Sequence, residues 1–268
     1  MTRRRFAARL VQLAAGAWIA ARLAPVVGRE VAVSPVPSPA AALRIAALVE
    51  RVLKLQAQAA RDVLAARARR ALPAALRDME AAMRTLGVPA SPAELHERAA
   101  ILALLVAQFR ARAARGLGRD AARDMGDRAE EIEWEAERIA AFLDARVDAS
   151  RSLAGRAIDG AWRAERIGRL LVSPRAGLGG AHADDALAAA KAALQADLEA
   201  LRAAAAPEAS RMRAELQVAE NQAAFLFAAS WRGSKGQAAR ELEFAVKASD
   251  NAAESLQRLA ALWERALQ

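Results

Sequence analysis

Glu50-Arg51-Val52-Leu53-Lys54-Leu55 comes round again as Glu165-Arg166-Ile167-Gly168-Arg169-Leu170. Each stretch reads Glu-Arg, a β-branched residue, one free position, a basic residue and Leu. Three further echoes keep the same order along the chain. Asp78-Met79-Glu80-Ala81 returns as Asp197-Leu198-Glu199-Ala200, and Arg115-Gly116-Leu117-Gly118 returns as Arg232-Gly233-Ser234-Lys235. Glu137-Arg138-Ile139-Ala140-Ala141-Phe142-Leu143 returns as Gln257-Arg258-Leu259-Ala260-Ala261-Leu262-Trp263. The offsets are 115, 119, 117 and 120. A period of this size marks a duplicated domain, since solenoid arrays repeat every ~20–50 residues.

With 268 residues the chain can bury one large core or two small ones. Ala dominates the 55% apolar fraction, aromatics make up 4%, and Tyr is absent. Ala, Leu, Arg, Glu and Gln are the residues that cost least in a helix, so the expected fold class is all-α. The lack of cysteine excludes disulfides and thiol chemistry. The formal charge is +9, yet more than half of it sits in residues 1–30, where six arginines face Glu30 alone. Elsewhere Arg alternates with Glu and Asp at helical spacing, as on solvated helix faces. No basic stripe stands out, so nucleic acid is not an expected partner.

Arg3-Arg4-Arg5-Phe6 precedes an apolar run from Leu10 to Ala21, the form of an export signal. Thr2-Arg3-Arg4-Arg5-Phe6 also resembles a twin-arginine signal, with Arg3, Arg4 and Phe6 as its matching residues. Arg22 and Pro25 spoil the small-residue cleavage site, and an uncleaved anchor is the other reading of the same run. An amphipathic cytoplasmic helix is the plain alternative. Signal or anchor, the rest of the chain is expected in the periplasm.

Ser34-Pro35-Val36-Pro37-Ser38-Pro39 is a stiff extended linker. A helix is then expected from about Ala41 to Leu72, with Ile45, Leu48, Val49, Val52, Leu55, Ala59 and Val63 as one apolar stripe. Pro73 should break or restart it. Ser91-Pro92-Ala93-Glu94 has the form of a capping box opening the next helix. Ile101–Val106 is too short to span a bilayer and reads as a buried helix segment. Ile132, Ala136, Ile139, Leu143 and Val147 mark a fourth helix. No Pro separates it from the second copy, where Gly155 and Gly160 leave a continuous rod open. The second copy repeats the plan, with Asp184 or Asp185 as a helix cap and the last helix from about Gln237 to Leu267. Each copy therefore reads as four helical segments with short turns, the pattern of an antiparallel four-helix bundle. The expected organisation is a signal or anchor at 1–30, a linker at 31–42, and two tandem four-helix modules at 43–152 and 153–268.

Both copies resemble the PilJ-type sensor domain of type IV pilus chemotaxis transducers and nitrate/nitrite sensor kinases. That family's first helix carries an Ala-Gly-Arg-Gln-Arg-Met-Leu-Ser-Gln-Arg type motif. Ala47–Gln56 and Trp162–Leu171 keep its second Arg, as Arg51 and Arg166, followed by an aliphatic residue. Glu220–Phe227 resembles the family's third helix, and Ala248–Glu264 its last. The resemblance spans about residues 43–268. It implies an extracytoplasmic sensor module in which Arg51 and Arg166, with Glu50 and Glu165 beside them, bind a small anion such as nitrate near a dimer axis. It also implies a membrane signalling or pilus-related protein as partner, and homodimerisation.

The residues themselves leave both uses of Glu-Arg open. Such a pair is most often an exposed ion pair worth about 0–1 kcal/mol. An Arg at the edge of an apolar stripe can also present its planar fork to a carboxylate or nitrate. Trp162, Phe225, Phe227 and Trp231 read as core residues. An enzyme is not expected. His96 and His182 are the only histidines, and neither has metal-ligand spacing around it. His182-Ala183-Asp184-Asp185 reads as a loop and helix cap, and no glycine-rich stretch follows a strand. No cofactor is implied. The sequence thus supports a ligand-binding sensor-like protein, with a structural helical protein of the same fold as the rival reading.

Overall fold

A computed structural model describes residues 38–87, 92–115, 119–147, 149–172, 180–204, 210–229 and 237–266. These residues form helices and no strand, so the chain is all-α. The helices are α1 (Pro39–Arg61), α2 (Ala65–Leu86), α3 (Ala93–Ala113) and α4 (Arg119–Asp144), then α5 (Ala149–Val172), α6 (Gly180–Ala204), α7 (Ser210–Ala228) and α8 (Gln237–Arg265). Arg3, Arg4 and Phe6 lie outside the described residues. Among those described, no helix is long and apolar enough to cross a membrane.

Local chemistry explains where α1 starts and stops. Ser38 caps its N-terminus by accepting the Ala41 N–H at 3.3 Å, with Pro39 fixed at the first turn. The helix ends at Arg61 because Asp62 and Leu64 adopt left-handed backbone, φ 60° and 52°. The break expected at Pro73 therefore falls eleven residues earlier. Pro73 itself sits inside α2, which gives up one intrahelical hydrogen bond there. Two other expected boundaries move. Asp184 and Asp185 are not caps, because the Ala-rich stretch carries α6 back to Gly180. The rod left open between the copies is interrupted at residues 145–147, which are not helical. Ser91 lies outside the described residues, and α3 begins at Ala93 without a side-chain cap.

The duplication is visible in what each helix buries. At an offset of 115, Val49, Val52 and Leu55 correspond to Ala164, Ile167 and Leu170, all buried. At 119, Ala68, Ala75, Met79 and Ala82 of α2 match Leu187, Leu194, Leu198 and Leu201 of α6. At 117, Leu102, Val106 and Phe109 match Ala219, Ala223 and Leu226. At 120, Ile132, Ala136, Ile139 and Leu143 match Ala252, Leu256, Leu259 and Trp263. In each half the first helix packs on the second and fourth, and the third on the fourth.

The halves meet through their first helices. Pro39 of α1 lies against Gly155 near the start of α5, and Arg61 at the end of α1 donates to the Val172 carbonyl that ends α5, at 3.1 Å. α1 and α5 are thus parallel and nearly in register. Buried residues of both halves belong to one contiguous core. Sandwiched among α2, α4 and α5, α1 is buried on nearly every side instead of along one stripe, including Glu50, Lys54, Gln56 and Gln58.

Candidate functional site

The repeated Glu-Arg motif lies on the seam where α1 and α5 run side by side. Its charges are exchanged between the copies. Glu50 of α1 receives both Arg169 Nε and Arg169 Nη2, the second at 3.0 Å, in a bidentate fork. In the reciprocal place, Lys54 of α1 pairs with Glu165 of α5. Each copy's glutamate is therefore held by the other copy's basic residue four positions on. An i,i+4 Glu–Lys or Glu–Arg spacing ordinarily suggests a pair within one helix. Here both pairs cross between helices.

The two exchanges are built differently. Lys54 is fully buried, and its ammonium also donates to Ser249 Oγ at 3.0 Å and Asp250 Oδ1 at 2.7 Å, both on α8. A compact ammonium with three donors suits three acceptors converging from two helices. Ser249 Oγ in turn donates to the Ala164 carbonyl at 2.9 Å, and Asp250 Oδ2 pairs with Arg67 of α2 at 3.0 Å. Burial alone would lower the Lys54 pKa, but Glu165 and Asp250 together outweigh it and hold the ammonium charged. Gly168 makes room for this arrangement. A Cβ there would run into Ser249 Oγ and stand 2.8 Å from both Lys54 Cδ and Ser249 Cβ. Leu53 occupies the corresponding position of the first copy.

On the other side of the seam, Arg166 donates to Glu133 of α4 at 2.7 Å and lies 3.6 Å from Glu50. Burial raises the Glu50 pKa, yet Arg169 and Arg166 pull it below the ordinary carboxylate value. Burial and the neighbouring Glu50 charge push Glu133 well above it. Of two adjacent carboxyls, Glu50 keeps the charge and Glu133 keeps its proton to higher pH. Trp162, expected in the core, is buried against Ala46, Ala47 and Ala136 beside this cluster.

Arg51 and Arg166 therefore differ. Arg166 is committed to Glu133 and Glu50. Arg51 is half-buried and has no hydrogen bond or ion pair to another described residue; burial holds the Glu165 carboxyl above its ordinary pKa against the pull of Lys54 and, more weakly, Arg51. Lys54, Arg169, Ser249 and Asp250 complete the cluster without having been singled out as site residues. The repetition of a basic residue in both copies of the motif was the available signal for the first two.

A second charged cluster joins α5 to α6. Arg163 bridges Asp159 at 2.6 Å and Asp197 at 2.8 Å. Burial and Asp159 push the Asp197 carboxyl up to about 6 against the pull of Arg163 and Arg156. His96 is exposed on α3, and no group of residues able to hold a metal ion occurs among the described residues. Phe227 is half-buried, whereas Phe225 is 62% exposed, so its expected place in the core is corrected. It lies on the outer side of α7, away from the buried row Leu216, Ala219, Ala223 and Leu226. Trp231 falls outside the described residues.

No family model, curated protein or solved structure matches the chain.

Proposed function

We propose that the protein is an exported helical scaffold, built from two fused copies of a sensor-like bundle, whose motif charges hold the fold instead of a ligand. The supporting observation is that Glu50, Glu165 and Arg166 are taken up by Arg169, Lys54 and Glu133 within the chain. An anion approaching Arg166 has to displace a buried carboxyl that is already hydrogen-bonded. Export rests on Arg3, Arg4, Phe6 and the apolar run behind them. Likeness to the PilJ-type domain rests on the motif and the helical order. On this reading the protein acts through its outer surface, on a partner.

Arg51 favours a second reading, a sensor for a small anion, because no described carboxylate closes on its guanidinium. Thermal unfolding separates the two. Nitrate, nitrite and acetate are titrated against chloride at constant ionic strength, which removes generic screening. The scaffold reading expects none of them to raise the melting temperature beyond chloride. A ligand held by the folded state stabilises it by about 2.7 kcal/mol at a hundredfold excess over Kd. A concentration-dependent rise that disappears in Arg51→Ala would establish the sensor and overturn the scaffold.

A further inference from the structure

The outer seam between α7 and α8 carries three of the four large apolar side chains exposed among the described residues. They are Val218, Phe225 and Phe244. The fourth, Trp134 on α4, has the Arg138 guanidinium 4.6 Å over its ring. Arg258 donates to Glu215 at 3.0 Å and Asn251 to Gln222 at 3.5 Å, which makes α7 and α8 antiparallel and fixes their register. In that register Phe225 and Phe244 stand at the same end of the seam, about one helical turn apart.

The first half closes the corresponding place with polar groups. Arg128 donates to Gln108 at 2.5 Å there. At the offsets of 117 and 120 established above, their counterparts are Phe225 and Ala248. The second half has thus replaced that polar pair with Phe225 and the buried Ala248, which leaves the Phe225 ring uncovered. Phe244 is 67% exposed, and exposed aromatics so grouped mark an interaction surface.

Charge identifies the occupant. Glu241 and Lys247 are exposed on α8 three residues to either side of Phe244, and no ion pair joins either to another described residue. When a helix meets its own copy antiparallel across a two-fold axis at residue i, position i−3 of one faces i+3 of the other. With the axis at Phe244, Glu241 of each copy faces Lys247 of its partner, and the two Phe244 rings meet between them. Such self-complementarity is what an isologous contact requires. We infer that the protein self-associates as a two-fold dimer through the α7–α8 seam, with Phe244 at its centre and Phe225 beside it.

Sedimentation equilibrium of the full chain over the micromolar range tests this. A monomer–dimer equilibrium is expected, weakened roughly tenfold or more by Phe244→Ala. Glu241→Lys and Lys247→Glu should each weaken it, and the two together in one chain should restore it. Six residues apart on a helix, these positions do not neighbour each other within one chain, so restoration reports a contact between copies. Circular dichroism of each variant confirms that the helices are intact. A monomer throughout, a dimer indifferent to Phe244→Ala, or a double variant no better than the singles would overturn the inference. Anion-induced stabilisation bears on the scaffold reading and leaves this measurement untouched, so the two fail separately.

Discussion

Lys54→Ala is expected to cost about 3–5 kcal/mol of folding stability, because it removes the cation from a buried set of charges. Glu165 is left without its partner, and Asp250 retains only Arg67 at the surface. The cost is that of stranded carboxylates and greatly exceeds the net worth of an ion pair. Urea denaturation monitored by circular dichroism measures it. Arg70→Ala is the control. That arginine is exposed on α2, so its loss should stay within about 0.5 kcal/mol. Similar losses for the two variants would contradict the role given to Lys54.

Gly168→Ala should destabilise by about 1–3 kcal/mol, although Ala is favoured over Gly in a helix by about 1 kcal/mol. The new methyl group meets Ser249 and Lys54, and neither is free to retreat. Ser249 is tied to the Ala164 carbonyl, and the Lys54 ammonium is held by three acceptors. Gly126 in α4 provides the contrast, since a Cβ there meets nothing within 4 Å. Gly126→Ala should therefore gain up to about 1 kcal/mol. The opposite signs are the content of the prediction, and a stabilising Gly168→Ala would refute it.

The helical class and the duplication were legible because both depend on local pattern. Apolar spacing shows which face of a helix is buried, and two copies with the same order of faces show the same bundle twice. The pairing of α1 with α5 was not legible. A single apolar stripe predicts one buried face, and nothing in Glu50–Leu55 says that its charged residues are buried too. Burial of Glu50 and Lys54 depends on a helix more than one hundred residues away in the chain. Pro73 misled for a related reason. A proline weighs heavily in local reading, but packing tolerates it within α2, while Asp62 and Leu64 turn the chain with residues that carry little breaker signal. Of the motif residues named as site candidates, Glu50 and Glu165 are held by the motif's own basic residues, Arg169 and Lys54, and Arg166 is held by Glu133, which lies outside the motif. Phe225 was misassigned because an aromatic at helical spacing does not reveal whether another helix covers it.

The duplicated charges bind the two halves to each other. A double-mutant cycle on Glu50 and Arg169 measures that bond, using Glu50→Gln, Arg169→Gln and the pair, each followed by urea denaturation. The buried bidentate geometry predicts a coupling energy of about 2 kcal/mol, with the double variant more stable than the singles would suggest if added. Additive losses, with coupling below about 0.5 kcal/mol, would contradict the account.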